Sequence, residues 1–330
     1  MRILVTGGAG YIGSHTVRLL LTHGHDVWVY DNLSMGHRGA VPAETLIAGD
    51  LKDTDFLDHA LLANRIEAVV HFAASAYVGE SVVQPAKYYQ NNLVNTLNLM
   101  ERMRRHGISR FVFSSTCATY GVPERMPITE DMPQRPINPY GNTKLAVERA
   151  LADFATAYQW GYAALRYFNA AGAAADGSIG EDHTPETHLI PLVLQSILGQ
   201  RPHIEIFGTD YPTPDGTCLR DYIHVDDLAE AHRLALEQLQ PGKGLIYNAG
   251  TGKSHSVREV IRTAEGITGK KVPVKETPRR PGDPPELVAD GSKIRRELSW
   301  TPKYPELRPI IASAWEWHRR HPRGFGDGTS

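Results

Sequence analysis

Short apolar runs alternate with segments of helical periodicity along the first half of the chain. Six runs rich in apolar residues lie at residues 2–6, 26–30, 45–48, 68–72, 110–114 and 162–167. Runs of this length are typical of parallel strands buried on both faces. Helical patterns lie between most of them, notably at residues 13–22, 89–105 and 140–158. This alternation predicts βαβ units and an α/β fold with a doubly wound parallel sheet.

The alternation ends after residue 168. Proline, glycine and aspartate become frequent there, and strand-like or helical stretches return only at intervals, among them DYIHVDDLAEAHRLALEQL and LIYNAG. We expect residues 1–168 to form a first domain. Residues 169–330 should form a smaller C-terminal α/β domain over the carboxyl edge of the sheet. Part of residues 221–250 is expected to cross back and rejoin the first domain.

The amino-acid composition limits the classes of binding partner and the cellular compartment that we expect. The 330 residues are 41% hydrophobic and 22% charged, with a formal net charge of −2, which gives no reason to expect nucleic acid or an anionic membrane as a partner. No apolar run approaches the ~20 residues of a membrane span. The first apolar run is expected to be the first strand of the fold, so we expect no signal peptide. Cys117 and Cys218 are too few for a disulfide framework, so we expect a reducing, cytoplasmic setting.

A glycine-rich stretch, TGGAGYIG, joins the first predicted strand to the first predicted helix. It contains two overlapping spacings, one that starts at Gly7 and one that starts at Gly8, and both include Gly10 and Gly13. Glycines there allow a tight turn and a close approach to a pyrophosphate, which the helix N-terminus binds. The stretch therefore predicts a Rossmann-type dinucleotide site, with a ligand-free βα turn as the alternative.

Acidic residues follow the second and third predicted strands. Asp31 stands where a carboxylate can accept hydrogen bonds from ribose hydroxyls and would repel a 2′-phosphate, so NAD is favoured over NADP. Asp50 can either meet an adenine amino group or cap a helix, and both roles stay open. The fourth strand ends in Phe72, Ala73 and Ala74, whose small residues would let a cofactor pass close over the sheet edge.

Tyr140 and Lys144 lie one helical turn apart, in a helix that Asn138 and Pro139 are suited to begin. An ammonium group beside a phenol stabilises the phenolate and lowers its pKa, which would make Tyr140 a general base and acid. Packing on a helix surface is the alternative for an isolated pair. Upstream, the hydroxyl-rich stretch SSTCATYG ends the fifth strand, at the edge where open α/β sheets bind ligands.

These motifs, TGGAGYIG, the SST strand end and the Tyr140/Lys144 pair, resemble the extended short-chain dehydrogenase/reductase superfamily. Further stretches, including HFAASAYVGESVVQPAKYYQNN, LRYFNAAGA, GTCLRDYIHVDDLAEAH and RRPGDPPELVAD, make nearly the whole chain resemble the UDP-glucose 4-epimerase family. The resemblance identifies Gly7, Gly10 and Gly13 as the working glycines and Gly8 as an extra one. It implies a permanently bound NAD and reversible inversion at C4 of UDP-glucose or UDP-galactose through a transient 4-keto sugar.

The resemblance also implies roles for individual residues. Tyr140 would move the proton of the 4-hydroxyl, Thr116 would hydrogen-bond the 4-oxygen, and Lys144 would tune Tyr140 and hold the nicotinamide ribose. The other residues expected to bind NAD are Gly7, Gly10, Tyr11, Ile12, Gly13, Asp31, Asn32, Asp50, Leu51, Phe72, Ala73, Ala74, Asn91, Ser114 and Tyr167. The UDP-sugar is expected to meet Thr116, Tyr140, Phe168, Asn169, His188, Leu189, Arg220, Tyr222, Arg280 and Asp283.

Alternatives concern the sugar and the reaction. Leu287 stands where some family members place a bulky tyrosine, so UDP-N-acetylglucosamine is an alternative substrate, and a UDP-pentose is another. A 4,6-dehydratase would carry an acid pair where this chain has Cys117 and Ala118. A non-catalytic NAD-sensing protein would be expected to lose Tyr140 or Lys144.

Two further expectations concern assembly and metals. Family members commonly pair the helices at residues 89–105 and 140–158 across a two-fold axis, so we expect a homodimer. His183 and His188 lie five residues apart in a loop, and His188 stands where other members carry asparagine. No histidine spacing matches a metal-binding motif, so we expect no metal.

Overall fold

The computed structural model describes residues 1–280 and 283–326. The strands are β1 (Arg2–Thr6), β2 (Asp26–Asp31), β3 (Leu46–Ala48), β4 (Ala68–His71), β5 (Arg110–Thr116), β6 (Gly161–Tyr167), β7 (Asn169–Ala171), β8 (Ile204–Phe207), β9 (Leu219–His224), β10 (Gly244–Ala249), β11 (Ser254–Ser256), β12 (Val274–Thr277) and β13 (Glu286–Leu287). The α-helices are α1 (Tyr11–Thr22), α2 (Thr54–Ala63), α3 (Val78–Val83), α4 (Pro85–Tyr88), α5 (Asn95–Arg105), α6 (Pro139–Tyr158), α7 (Leu189–Ile197), α8 (Val225–Glu237), α9 (Val257–Thr268), α10 (Ser292–Leu298) and α11 (Leu307–Arg320).

Seven strands form one parallel sheet in the order β3-β2-β1-β4-β5-β6-β10. The six strands predicted from the apolar runs are all present, with ends within two residues of the prediction. The seventh strand, β10, pairs with β6 in register from Gly244 to Ala249. It therefore completes the sheet from a segment more than 70 residues beyond the end of β6.

Helices cover both faces of this sheet. Alternate residues of each strand point to opposite faces; Ile3 and Val5 of β1 pack in one core with α1, α8 and α10. Leu4, between them, packs in the other core with α2, α5 and α6. The predicted Rossmann-type, doubly wound α/β fold is confirmed.

A smaller α/β unit stands at the carboxyl end of the sheet. Its main sheet is built around β9, which pairs with β7 and β13 in parallel and with β11 antiparallel. A second small sheet joins β8 and β12, and α7, α9 and α11 share one apolar core with both. Among the helices of residues 1–280 and 283–326, none combines the length and apolar character required to cross a bilayer.

The helix predicted over residues 89–105 begins in an unexpected way, since Tyr89–Val94 is π-helical and only then continues as α5. Asn92 in this wider turn accepts a hydrogen bond from Ser75 N at 2.8 Å and donates to Ser75 O at 2.9 Å. Its amide also donates to Thr143 Oγ1 on α6 at 3.3 Å. π-Helical turns are frequent at functional sites, and this one ties the loop after β4 to the helix that carries Tyr140.

Candidate active site

The glycine loop between β1 and α1 is closed by backbone contacts that exclude side chains. Gly7 has φ of +70°, and a Cβ there would lie 2.4 Å from Ala73 N. A Cβ on Gly13 would lie 2.3 Å from Gly7 O. Gly10 caps α1 without any side-chain hydrogen bond, so the first N–H groups of that helix are available to an anion. The loop fits a pyrophosphate.

Gly8 is more than an extra glycine in this loop. A Cβ there would lie 3.0 Å from both Val5 O and Val29 Cγ1, so Gly8 lets the loop pack on the adjoining strands β1 and β2. Its φ is not positive. The tight turn itself depends on Gly7, which supports the wider glycine spacing as the one that forms the phosphate loop.

Asp31 ends β2 beside this loop, and its carboxylate is 7% exposed. Its two oxygens accept hydrogen bonds from Ala9 N at 3.0 Å and from Leu33 N at 2.8 Å. Burial raises the pKa of Asp31, and these backbone hydrogen bonds oppose the shift. A carboxylate has about four acceptor positions, so Asp31 can still accept from a ribose hydroxyl.

Asp50 follows β3 and contacts Asn32, whose amide donates to Asp50 Oδ2 at 3.0 Å. The other carboxylate oxygen accepts from Lys52 N at 3.0 Å. The helix-capping alternative for Asp50 is wrong, because Asp53 caps α2 by accepting from Phe56 N at 3.1 Å. Asp50 and Asn32 therefore form one polar edge beyond β2 and β3, where an adenosine is expected.

The other residues expected near NAD divide by what their side chains do. Phe72 and Ala73 both donate their backbone N–H to Thr6 O, which holds the end of β4 against β1. The side chains of Ile12 and Leu51 pack against or within the two cores, so their backbone groups are what remains for a ligand. Two more of the residues expected to bind NAD hold neighbouring segments: Tyr11 OH donates to Gly172 O at 2.7 Å, and the Asn91 amide donates to Ser75 Oγ at 3.2 Å. Ala74, which follows β4, is half-buried.

The start of α6 directs Tyr140 and Lys144 towards the carboxyl end of β5. Asn138 Oδ1 accepts from Gly141 N at 2.8 Å and Pro139 is the first helical residue, so the predicted cap is confirmed. Tyr140 is 6% exposed and Lys144 is 3% exposed. Both are therefore enclosed at the sheet edge, and packing on an open helix surface does not describe them.

Lys144 is held by the strand that faces it. Its Nζ donates to Ser114 O at 2.9 Å and lies 4.8 Å from the centre of the Phe113 ring. Ser114 Oγ in turn donates to the Tyr167 hydroxyl at 3.1 Å. Thr116, two residues further along β5, accepts from Ala118 N at 3.1 Å through its Oγ1. Its own hydroxyl hydrogen can be donated to the Tyr140 phenol or to the oxygen of a ligand.

Burial governs the protonation of this pair. It raises the pKa of Tyr140 well above its usual value, and the Thr116 side chain lowers it by less. Burial lowers the pKa of Lys144 to about 7, against an attraction to Glu148. In the protein without bound ligands, Lys144 therefore does not lower the pKa of Tyr140 as expected, because desolvation disfavours the charged form of both groups.

A buried polar network behind Lys144 was missed in the sequence. Glu148, one turn further along α6, accepts from Ser115 Oγ at 2.5 Å and from Arg166 Nη2 at 2.6 Å. Arg166 also donates to the Tyr120 hydroxyl at 2.8 Å. This network fixes α6 against β5 and β6. Its one sequence signal was the four-residue spacing from Lys144 to Glu148 on the same helix face.

An apolar group lies at the junction of the two units, close to the expected position of the sugar. Phe168 packs there with Tyr120, and Leu287 and Cys117 cover the same group. Asn169 donates its amide to Asp221 O at 3.0 Å. Tyr222, by contrast, is 5% exposed and belongs to the core around α7, α9 and α11. Leu189 at the start of α7 packs against the same core.

Two arginines of the smaller unit have different surroundings. Arg220 donates to Pro284 O at 3.0 Å and to Asp283 Oδ1 at 2.6 Å. The Arg280 guanidinium is exposed and lies 3.8 Å from the centre of the Phe207 ring. Asp283 thus pairs with Arg220. Both cations stand on the same small unit, and a guanidinium matches the oxygens of a diphosphate.

His188 caps the start of α7, and its ring turns towards two carboxylates. Its Nδ1 lies 2.6 Å from Glu181 Oε1 and 3.3 Å from Glu186 Oε1. The side chain is 47% exposed, and partial desolvation lowers its pKa, but the two carboxylates outweigh this and raise the pKa to about 10. His188 is therefore a cation at neutral pH in this environment, as the neighbourhood of a diphosphate would favour.

Residues 3–250 match the model of the NAD dependent epimerase/dehydratase family. A UDP-glucose 4-epimerase of Halalkalibacterium halodurans is 52% identical over 326 residues, which cover 98% of each chain. The crystal structure of the Brucella ovis UDP-glucose 4-epimerase in complex with NAD is 50% identical with a TM-score of 0.92, covering 95% of this chain and 97% of that one. The Bifidobacterium longum UDP-glucose 4-epimerase, solved with NAD+ and UDP, is 38% identical with a TM-score of 0.93, covering 98% of this chain and 100% of that one. The chain therefore belongs to the NAD dependent epimerase/dehydratase family and, within it, to the UDP-glucose 4-epimerases.

Proposed function

We propose that this chain interconverts UDP-glucose and UDP-galactose by reversible inversion at C4, with NAD retained through each turnover. The observation that carries the proposal is the enclosure of Tyr140 and Lys144 at the carboxyl end of β5, where Thr116 also lies. This edge adjoins the loop in which Gly7 meets Ala73. A phenol, an ammonium group and a hydroxyl are thereby placed beside a dinucleotide loop.

The cofactor site is proposed from the chain's own groups. The N–H groups of Tyr11, Ile12 and Gly13 would hold the pyrophosphate, Asp31 and Asn32 the adenosine ribose, and Asp50 the adenine. Lys144, Ser114 and Tyr167 would face the nicotinamide end. NAD supplies a hydride acceptor and donor for C4, and its oxidised ring brings a positive charge into the pocket.

Proton transfer is assigned to Tyr140. Its phenolic oxygen would take the proton of the sugar 4-hydroxyl and return it after the 4-keto sugar has turned over. Burial holds Tyr140 protonated in the chain by itself, so positive charge from Lys144 and the cofactor must stabilise the phenolate. Thr116 would donate its hydroxyl hydrogen to the 4-oxygen. Because the net reaction is redox-neutral, an enzyme of this kind gains nothing by releasing its cofactor.

The UDP-sugar is proposed to span the junction of the two units. Arg220 and Arg280 would offset the charge of the diphosphate, His188 would contact the nucleotide, and Asp283 would accept from the uridine ribose. Asn169 and Leu189 would add an amide and a backbone group. Phe168 would bound the sugar, with Tyr222 supporting Arg220 from the core.

We also infer the assembly and domain division. Val94 and Leu97 expose apolar side chains beside α5, and Tyr158 does so at the end of α6, which supports a homodimer through these helices. Residues 1–168 with α8 and β10 would form the cofactor domain, and the rest of residues 169–330 the substrate domain. Cys117 and Cys218 are unpaired, as a reducing cytoplasm would keep them.

The experiment is incubation of the purified chain with UDP-galactose and no added NAD, followed by separation of the UDP-sugars. We expect UDP-glucose to accumulate up to an equilibrium mixture that is also reached from UDP-glucose. A 4-keto-6-deoxy product would instead indicate a dehydratase, and no conversion would indicate a non-catalytic NAD-binding protein.

A further inference from the structure

Four side chains with metal-ligating groups converge in the loop that leads into α7: Glu181, His183, Glu186 and His188. One ligand atom from each lies within 4.8 Å of the others. His188 Nδ1 is 2.6 Å from Glu181 Oε1 and 3.3 Å from Glu186 Oε1, and His183 Nδ1 is 3.2 Å from Glu181 Oε1 and 3.7 Å from Glu186 Oε2. Ligand atoms about 2.0–2.1 Å from a tetrahedral zinc ion lie about 3.3 Å apart, which falls within this range.

A buried carboxylate beside two imidazoles is the second observation. The Glu181 side chain is 3% exposed, and its Oε1 lies 2.6 Å from His188 Nδ1 and 3.2 Å from His183 Nδ1 without the alignment of a hydrogen bond. His183 Nδ1 is likewise buried and without a hydrogen-bond partner, although the two atoms are only 3.2 Å apart. Buried polar atoms in folded proteins nearly always have a partner. Here the oxygen and the nitrogen approach each other closely without the alignment of a hydrogen bond, as ligand atoms directed at a common point between them would.

We propose that Glu181, His183, Glu186 and His188 bind one divalent cation of the zinc class. Binding would release the protons that His183 and His188 hold in the ion-paired cluster. Two imidazole nitrogens and two carboxylate oxygens then form a donor set that suits Zn²⁺ or Co²⁺ better than the oxygen-only sets of Ca²⁺ and Mg²⁺. Two carboxylates also neutralise the charge of a divalent ion, which would lie between the buried Glu181 and the exposed His188. The residue spacing alone predicted no metal site, because two of the four ligands are glutamates of an irregular loop.

The position of the cluster indicates what the cation would do. The His183 ring lies edge-on to the rings of Tyr11 and Tyr77, at centroid distances of 6.2 and 6.3 Å. Tyr11 begins α1 and Tyr77 precedes α3. A cation bound here would fix the loop before α7 against the phosphate loop and the segment after β4. It has no part in the hydride and proton steps, so this proposal does not depend on the proposed reaction.

The test is direct metal binding to the tag-free protein with its cofactor retained, after chelator treatment and desalting. Zn²⁺ is titrated against a chromophoric chelator, and Co²⁺ is added separately to record its visible absorption. We expect one ion per chain and the strong absorption bands of four-coordinate Co²⁺. Weak bands of six-coordinate Co²⁺, or the absence of binding at micromolar zinc, would overturn the proposal and leave an ion-paired cluster only.

Variants identify the site. Removal of a residue that only hydrogen-bonds a metal ligand lowers metal affinity about 10–100-fold. Removal of a ligand itself, in Glu181→Gln or His183→Gln, should therefore weaken zinc binding at least about tenfold. Glu181→Gln preserves the shape of the buried side chain, which keeps the test available if His183→Gln folds poorly. The control is His255→Gln, which removes the imidazole 2.8 Å from Glu259 Oε1 elsewhere on the surface and should leave zinc binding unchanged. Equal zinc affinity in wild type and Glu181→Gln would contradict the assignment.

Discussion

The Nζ atom of Lys144 lies 5.9 Å from the centre of the Tyr140 ring, and both side chains are almost fully buried. The ammonium group donates to Ser114 O and not to the phenol. Lys144 is thus positioned by the strand, and its influence on Tyr140 acts through space. In a site with little water such an interaction is strong, but it competes with the desolvation of both groups.

Removal of the phenolic hydroxyl should abolish proton transfer while leaving the fold intact. We expect Tyr140→Phe to lower kcat for UDP-galactose by at least about 100-fold, the usual contribution of a general acid–base group. The measurement is the initial rate of UDP-glucose formation, together with the NAD content per chain.

Tyr158→Phe is the matched control, since Tyr158 ends the same helix and is exposed. Its kcat should match that of wild type. Activity of Tyr140→Phe within threefold of wild type would show that another group moves the proton.

The buried Lys144 should make the stability of the cofactor-depleted chain depend on pH. Its folded-state pKa is about 7, below the usual value of about 10.4 for an unfolded lysine. Between these values the unfolded chain binds more protons at this site than the folded chain, so its contribution to the free energy of unfolding rises with pH. From pH 7 to 9 the rise should be about 2 kcal/mol.

Urea unfolding of wild type and Lys144→Met at pH 7 and at pH 9 measures the contribution of Lys144 to the pH dependence of the free energy of unfolding. The variant lacks the group, so its free energy of unfolding should rise by about 2 kcal/mol less over the same interval. An identical pH dependence in the two proteins would mean that Lys144 titrates normally in the folded chain.

Gly7 and Gly24 both have positive φ, so a comparison of their alanine variants distinguishes the cost of backbone strain from the cost of a close contact. Gly7→Ala places a Cβ 2.4 Å from Ala73 N, whereas at Gly24, with φ of +75°, nothing lies within 4 Å of such a Cβ. Gly24→Ala should cost about 1–2 kcal/mol of stability from strain alone. Gly7→Ala should cost more and should also lower the NAD retained after purification.

Thermal unfolding and the absorbance of extracted NAD measure both effects. If Gly7→Ala and Gly24→Ala lost equal stability and retained equal NAD, the contact between the phosphate loop and the end of β4 would have no role in cofactor binding.

Leu287 gives a prediction about the sugar. It covers the group formed by Phe168 and Tyr120, and a larger ring there would occupy space beside the expected sugar. We expect the wild-type chain to accept UDP-N-acetylglucosamine as well as UDP-glucose. Leu287→Tyr should lower kcat/KM for the N-acetylated sugar at least tenfold, about 1.4 kcal/mol, relative to UDP-galactose.

Leu287→Met, which nearly conserves volume, is the control and should keep the ratio of the two kcat/KM values. If the wild type turned over UDP-glucose well and UDP-N-acetylglucosamine not at all, the wider specificity would be wrong.

The sequence predicted the features that have a regular period or a strong local signal. The six apolar runs, the cap at Asn138 and the glycine turn each have one dominant physical cause, and all three are present. The strands around β9 were not predictable in the same way, because β7, β11 and β13 are two or three residues long and show no period. The π-helical start at Tyr89–Val94 was read as ordinary helix, since six residues do not distinguish the two turns.

In the candidate active site, too, local sequence patterns identified residues, but contacts between distant segments could not be predicted. The spacing of Tyr140 and Lys144 identified the pair, but their protonation depends on enclosure by β5 and β6, which no local pattern expresses. The grouping of Glu181 with His183, Glu186 and His188 depends on loop geometry. It could be recognised only once the chain was folded.

The distant origin of β10 has a consequence for how the molecule can be divided. A fragment that stopped at residue 168 would leave the hydrogen-bonding edge of β6 bare and would remove α8 and α10 from one face of the sheet. Bare strand edges promote aggregation. Truncation at that point should therefore give an insoluble product, and a soluble fragment of the first domain would have to retain the segment that contains α8 and β10.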